Sequence, residues 1–276
     1  MFRERMMDRI LQFSMCRNYV LYYGHRQEEM LSLFDMAVVD PAGQTDGSIQ
    51  HIKKAGTLVI GYLSVLEICP WSREFSFLKK DDYLQSEGQP LINPKFNNYW
   101  VDLRSESWTN LLLHKVSYFL NYLKYDGVFF DTLGYIEENG YPLSRKQESI
   151  FLLTQIVRRI RETFPRHILI QNGGLAEIIQ YTSPFLNAVC WENPPDRERV
   201  KVPWLPVLVD NLNKIKSEYN IQILLLTEGQ SRDIPAVRKM AKEQSFLAYH
   251  AKDGYTGKIN IDSVAYSLKK EGLGLC

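Results

Sequence analysis

One after another, short apolar runs of this sequence end on carboxylates and amides. Asp40 follows MAVV, Glu67 follows YLSVL, Asp131 follows GVFF, Gln171 and Asn172 follow ILI, Glu192 follows AVCW and Glu228 follows ILLLT. An acid after a strand can simply cap the segment that follows, and Asp40 and Glu67 each admit that reading. Repetition of the pattern calls for another explanation. In a parallel barrel every strand's C-terminal end opens on one face, so residues distant in sequence converge there. Two convergent carboxylates are what glycosidic bond cleavage requires: one acts as nucleophile or base, and the other keeps its proton for the departing oxygen.

Other chemistries find less support in the residue types. The five histidines, His25, His51, His114, His167 and His250, show no metal-ligand spacing. The four cysteines, Cys16, Cys69, Cys190 and Cys276, are far apart and form no C-x-x-C pair. QNGGLAE follows a strand but matches neither phosphate-binding glycine pattern, so its glycines are expected to turn the chain beside the site. No metal or cofactor is therefore expected, and an enzyme using an acid-ligated metal is the weaker alternative.

The elements that must position these acids are legible. Apolar runs stand at NYVLYYG (18–24), FDMAVVD (34–40), TLVIGYLSV (57–65), DGVFFDT (126–132), HILIQNG (167–173), NAVCWEN (187–193), IQILLLTEG (221–229) and GYTGKINI (254–261). Most are continuously apolar, as parallel strands covered on both faces should be. Their number predicts a (β/α)8 TIM barrel formed as a single domain over 1–276. YWVDL (99–103) reads as an extended lead-in to a helix. Trp108, Leu112, Val116, Phe119, Leu120 and Leu123 predict one amphipathic helix, and Ile150, Leu153, Val157, Ile160 and Phe164 another. Ser144 and Gln147 have the form of a capping box, which predicts a helix over 144–164 stopped by Pro165. Asp233 is expected to cap a last helix running to about His250. Residues 1–17 read as a helical extension. The stretch 67–98, rich in Pro, Gly, Asn and aromatics, reads as an elaborated loop on the active-site face. Tyr22, Tyr23, Tyr62, Trp71, Trp100 and Trp191 are candidate stacking platforms for sugar rings, or packing residues.

Composition narrows the partners. The formal net charge of +1 gives no general attraction to nucleic acid or anionic membranes. No run approaches the roughly 20 apolar residues of a membrane span. MFRERMMDRILQFSMCRNYV is interrupted by charges and lacks the form of a signal peptide, so a cytoplasmic location is expected of the chain as written.

FDMAVVDP, VIGYLSVLE, YDGVFFDTL, ILIQNGG and AVCWEN, in this order, resemble the barrel of glycoside hydrolase family 114, the endo-α-1,4-polygalactosaminidase-like proteins. The likeness spans roughly residues 18 to 261, and DGVFFDTL is its most specific block. The resemblance implies a catalytic Asp at the end of the fourth strand and a catalytic Glu at the end of the sixth, which map onto Asp131 and Glu192. Similarity to the wider α-galactosidase-type barrels makes Asp131 the nucleophile and Glu192 the acid/base. The implied activity is retaining, endo-acting hydrolysis of an α-linked galactosamine-containing or related galactoside polymer; the strand-end residues Asp40, Glu67, Gln171, Asn172 and Glu228, with Tyr62, are then expected around the substrate. The alternative is a sugar-binding barrel of the same ancestry that does not cleave. Two positions depart from the family pattern: DTLG carries Gly134 where a further Asp is frequent, and YLSVLE carries Leu66 where Gly is common. The resembled family is often secreted.

Overall fold

Eight strands lie side by side in chain order and all parallel: β1 (Tyr19–Tyr22), β2 (Met36–Val39), β3 (Leu58–Ser64), β4 (Gly127–Asp131), β5 (Ile168–Asn172), β6 (Ala188–Glu192), β7 (Gln222–Glu228) and β8 (Leu247–Ala251). Helices α1 (Arg9–Ser14), α2 (Glu28–Leu31), α3 (Asp46–Lys54), α4 (Glu106–Ser117), α5 (Leu143–Thr163), α6 (Ile178–Thr182), α7 (Trp204–Tyr219) and α8 (Ile234–Gln244) precede the sheet or connect its strands. This is a computed structural model, and it describes residues 8–138, 140–195, 203–229 and 234–264. The continuous apolar runs have the expected cause: β1, β2 and β5 are buried along their whole length, between the barrel interior and the helices. Among the described residues β8 and β1 form no hydrogen-bonded ladder. Side chains and loops join them instead. The rings of Tyr19 and Tyr249 stand 5.9 Å apart, the Tyr19 hydroxyl donates to the Leu225 carbonyl, and the Tyr23 amide donates to the Tyr255 carbonyl at 2.7 Å.

The eighth strand is not where its apolar pattern placed it. α8 ends at Gln244 because Ser245 turns left-handed (φ 54), and the chain then enters the sheet at Leu247 rather than continuing as helix toward His250. GYTGKINI is a loop over the C-terminal face, tied back by the Asn260 side-chain amide to the His250 carbonyl. The expected cap Asp233 lies outside the described residues. The capping box at Ser144 does not form: α5 starts at Leu143 with Pro142 in the cap position, and Gln147 reaches Glu177 instead. The helix expected through Leu123 changes pitch at Tyr118–Tyr122, a turn of π-helix. YWVDL is partly strand, since Asn98–Trp100 pairs with Glu67–Ile68 and Ile92–Asn93 in a small antiparallel sheet built from the 67–98 excursion.

Opposite ends of the barrel handle charge differently. At the N-terminal face Asp126 is buried beside the start of β4, where it accepts from Arg9 (2.8 Å), Lys53 (2.7 Å) and the Val59 amide (3.0 Å). Arg9 belongs to α1, so this described part of the helical extension pins the barrel floor. His167, also at this end, is pushed down to about 4, first by burial and then by Arg9, and so stays neutral.

β4 carries a residue that tolerates no side chain. A Cβ on Gly127 would lie 2.1 Å from the carbonyl oxygen of its register partner Ile168. Gly127→Ala should therefore displace β4 from β5 and lower the melting temperature by roughly 10 °C or more. Gly47→Ala, in the first turn of α3 with no neighbour closer than 3.8 Å to the new Cβ, should be neutral or stabilising. Thermal unfolding followed by circular dichroism separates the two; equal melting temperatures would show that the β4–β5 approach is not tight.

Candidate active site

Strand parity decides which side chains reach the mouth of the barrel. Successive residues of a strand point to opposite faces, so of the adjacent pair Gln171 and Asn172 one faces the interior and the other the helices. Asn172 faces inward. Its amide nitrogen donates to Asp131 Oδ1 at 2.8 Å and to Glu192 Oε2 at 3.2 Å. A single nitrogen bonded to both holds these oxygens no more than about 6 Å apart, the two bonds laid end to end. Gln171 faces outward and does not reach the cleft. It is fully buried, accepts from Thr182 Oγ1 at 2.7 Å, and donates to the Gly173 carbonyl at 2.9 Å. Its place is in the packing of α6 against β5.

Each carboxylate of the pair also holds a tyrosine. Tyr62, on β3, hydrogen-bonds Asp131, and the hydroxyl of Tyr255 donates to Glu192 Oε1. Tyr23 lies between them, its ring 4.7 Å from that of Tyr62 and 5.5 Å from that of Tyr255. All three phenols are driven up from the ordinary tyrosine range, first by burial and then by the facing carboxylates, so they remain protonated donors. Cys190, two residues before Glu192 on the same strand face, is fully buried and its thiol is pushed up as well, chiefly by burial.

Asp131 is held above the usual aspartate range. Burial is the leading cause and the Glu192 charge adds to it, while hydrogen bonds from Asn172, the Thr132 backbone and Tyr62 pull the other way. Among the described residues neither Asp131 nor Glu192 forms an ion pair. The backbone under Asp131 is fixed by its neighbour. Thr132 takes a left-handed conformation (φ 71), unusual for a β-branched residue, and its hydroxyl accepts from the amides of Val65 (3.1 Å) and Leu66 (2.8 Å). That clamp joins the ends of β3 and β4. Gly134 lies against the glycines after β5: a Cβ there would stand 3.2 Å from the Gly174 nitrogen, a tight approach at this departure from the family pattern.

The remaining acids divide by what satisfies them. Glu67 is buried and accepts from Asn93 (2.5 Å), Trp100 Nε1 (2.9 Å) and Asn98 (3.1 Å), which makes it the hub of the 67–98 sheet rather than a free rim charge. Asp40 caps the turn Pro41–Gly43 through the Ala42 amide at 2.9 Å, yet its charge still faces Tyr62. Glu228 is exposed at the end of β7, and its charge faces Tyr255. Of the aromatic candidates, Trp100 stacks on Tyr135 and Tyr141, Trp191 and Tyr22 are buried, and Trp71 is 87% exposed on the excursion. Sequence reading did not single out Tyr255, Thr132 or Glu137. Glu137 accepts from the amides of Ala176, Glu177 and Ile178 and so ties the loop after β5 to the loop after β4. Tyr255 was hidden by its assignment to a strand; once β8 is placed at 247–251, it falls in a loop at a strand's C-terminal end, where site residues are expected.

A constellation of two unpaired carboxylates bridged by an amide and flanked by phenols is equipped for acid/base and nucleophilic chemistry at an acetal carbon. Among the described residues no helix is long and apolar enough to cross a membrane, and no cluster of three His, Cys, Asp or Glu side chains is arranged to hold a metal. Comparison with known proteins gives a consistent picture. No curated protein matches the chain. Among solved structures it is similar to the glycoside hydrolase domain of PelA from Pseudomonas aeruginosa, with 18% identity, TM-score 0.69, and 89% of this chain and 98% of that one covered. It is also similar to Aspergillus fumigatus Ega3 in complex with galactosamine (11%, TM-score 0.64, 88% and 93%) and to the GH36 α-galactosidase AgaA of Geobacillus stearothermophilus (12%, TM-score 0.59, 94% and 41%). The family model for glycoside-hydrolase family GH114 matches residues 13–199, most of the barrel including both carboxylates, and the chain belongs to that family.

Proposed function

We propose that this glycoside hydrolase cleaves α-linked galactosamine-containing polymers within the chain and with retention, Asp131 acting as nucleophile and Glu192 as acid/base. The observation that carries the reading is the Asn172 amide shared by the two carboxylates. With about 120° between the two N–H directions of a planar amide, bonds of 2.8 and 3.2 Å put the accepting oxygens about 5 Å apart. That matches the roughly 5–5.5 Å of retaining enzymes and leaves no room for the water that inversion places between acid and sugar. In the first step an Asp131 oxygen bonds to the anomeric carbon as the glycosidic C–O bond breaks, and Glu192 gives its proton to the departing oxygen. In the second, Glu192 takes a proton from water as the water oxygen displaces Asp131. Asn172 and Tyr62 stabilise the Asp131 carboxylate before attack and after release.

The choice of sugar rests on charge and on relatives. The pair forms no ion pair among the described residues, and Asp40 and Glu228 add negative charge around it, an environment suited to ammonium groups. Ega3, a similar barrel, was crystallised with galactosamine.

Two substitutions test this. Asp131→Asn should lower hydrolysis of every substrate by at least about 10³-fold, because an amide cannot form the glycosyl intermediate. The same variant should melt higher than wild type at pH 7. Because burial raises Asp131, ionising it costs the fold free energy; the cost is absent below the unfolded aspartate value of about 4 and grows as pH rises through the folded value. The advantage of Asp131→Asn should therefore shrink as pH falls toward 4, at roughly 2–4 °C per kcal/mol of relieved cost. A stability gap that widens in acid would mean that the carboxylate is not disfavoured by its surroundings. Glu192→Gln should lose polymer cleavage but still release an activated aryl group from the correct sugar, and added azide should speed that turnover. A wild-type protein that binds galactosamine oligomers and never cleaves them would instead establish the binding-only barrel.

A further inference from the structure

Tyr255 lies outside the strands, yet three separate contacts hold it in place. Its carbonyl accepts the Tyr23 amide at 2.7 Å, its ring meets the Tyr23 ring edge-on at 5.5 Å, and its hydroxyl donates to Glu192 Oε1. The loop that carries it leaves β8 through Gly254 (φ 74) and is anchored beyond by Asn260 on the His250 carbonyl. The phenol is therefore fixed by groups independent of Glu192. Asn172 occupies the other oxygen, Oε2, at 3.2 Å. Glu192 is thus gripped at both oxygens, once from β5 and once from the loop after β8.

Resting on the reading of Glu192 as the acid/base, we propose that Tyr255 is the positioning residue of that group: its hydroxyl fixes the rotation of the Glu192 carboxyl and stabilises it as the carboxylate between the two half-reactions. An acid/base must point one lone pair or one O–H at the substrate oxygen in both steps. A carboxyl free to turn about its last bond spends most of its time misdirected, and effective catalysis depends on the oriented fraction. The hydroxyl can keep donating to Oε1 whether Glu192 is ionised or protonated, so Tyr255 can hold it through its change of protonation without moving. The first step with a good leaving group needs no proton and should not depend on this grip.

Tyr255→Phe removes the hydroxyl and keeps the ring on Tyr23 and the backbone bond, so the fold should survive; a thermal melt verifies this. Hydrolysis of a galactosamine oligomer should fall roughly 10- to 100-fold, the scale of a lost hydrogen bond to a charged group. Release of an activated aryl leaving group, measured as the pre-steady-state burst, should change less than about threefold, and azide should accelerate steady-state turnover of the variant. A structural role would depress both substrates alike and give no azide response. In the Glu192→Gln background, adding Tyr255→Phe should cost less than about twofold on the aryl substrate, since the two residues act as one unit. Equal losses on oligomer and aryl substrate, or additive losses in the double variant, would overturn the assignment of Tyr255 while leaving the carboxylate pair intact. Full oligomer cleavage by Glu192→Gln alone would overturn the reading of the pair itself, and with it this proposal.

Discussion

Two carboxylates share one amide, and most of the catalytic face is arranged around that constraint. Like charges about 5 Å apart repel, and the repulsion grows as water is excluded. Cations would relieve it but would also quench a nucleophile by pairing with it. The barrel mouth uses neutral donors instead: Asn172 to both acids, Tyr62 to Asp131, Tyr255 to Glu192. Dipoles of this kind stabilise the ionised forms without cancelling their charge, and because they are fixed by the fold they need no reorganisation when charge moves. Part of the burden remains, seen in the upward shift of Asp131.

Holding such a pair demands rigid strand ends, and the structure supplies that rigidity where side-chain chemistry and backbone geometry meet. Thr132 accepts a left-handed backbone so that its hydroxyl can clamp Val65 and Leu66 to the end of β4. Gly134 permits the loop after β4 to pass against Gly173 and Gly174, and Glu137 closes the same gap by accepting three successive amides at the start of α6. Glu67 organises the excursion through Asn93, Asn98 and Trp100, and Trp100 in turn stacks on Tyr135. Tyr135 feels the charges of both Glu67 and Asp131, so the excursion is electrically coupled to the site as well as packed beside it. Glu67 and Glu137 thus do structural work, each surrounded by neutral N–H groups.

Much of this was legible in the sequence, for a physical reason. Parallel strands covered on both faces must be apolar throughout, so β1 to β7 announce themselves, and a barrel's topology then places Asp131, Asn172 and Glu192 on one face. What sequence could not resolve depends on parity or on distant partners. Gln171 and Asn172 are chemically alike and adjacent, and only the phase of β5 in the barrel decides that the second faces the site. Glu67 looks like any strand-end acid until Asn93, Asn98 and Trp100 fold back over it. The eighth strand was misplaced because LAYHA carries Ala and His where an apolar run was sought, and its left-handed start at Ser245 is a conformation that serine seldom advertises. That error had a cost in chemistry, since it removed Tyr255 from view.

The two ends of the barrel show how one fold separates stability from reactivity. At the N-terminal face Asp126 is matched by Arg9, Lys53 and a backbone amide, and removing the two cations would leave its buried charge uncompensated. That end is electrostatically closed. At the C-terminal face Asp131 and Glu192 are met by dipoles, and among the described residues neither forms an ion pair. Under the proposed function the missing charge arrives twice, as the ammonium group of the substrate and as the oxocarbenium character that develops at the anomeric carbon. The second of these is greatest in the transition state, so a carboxylate pair left without a cation in the free enzyme would bind the reacting species more tightly than the substrate. The contrast between Asp126, matched by cations below, and a carboxylate pair without one above is then part of the proposed catalytic arrangement.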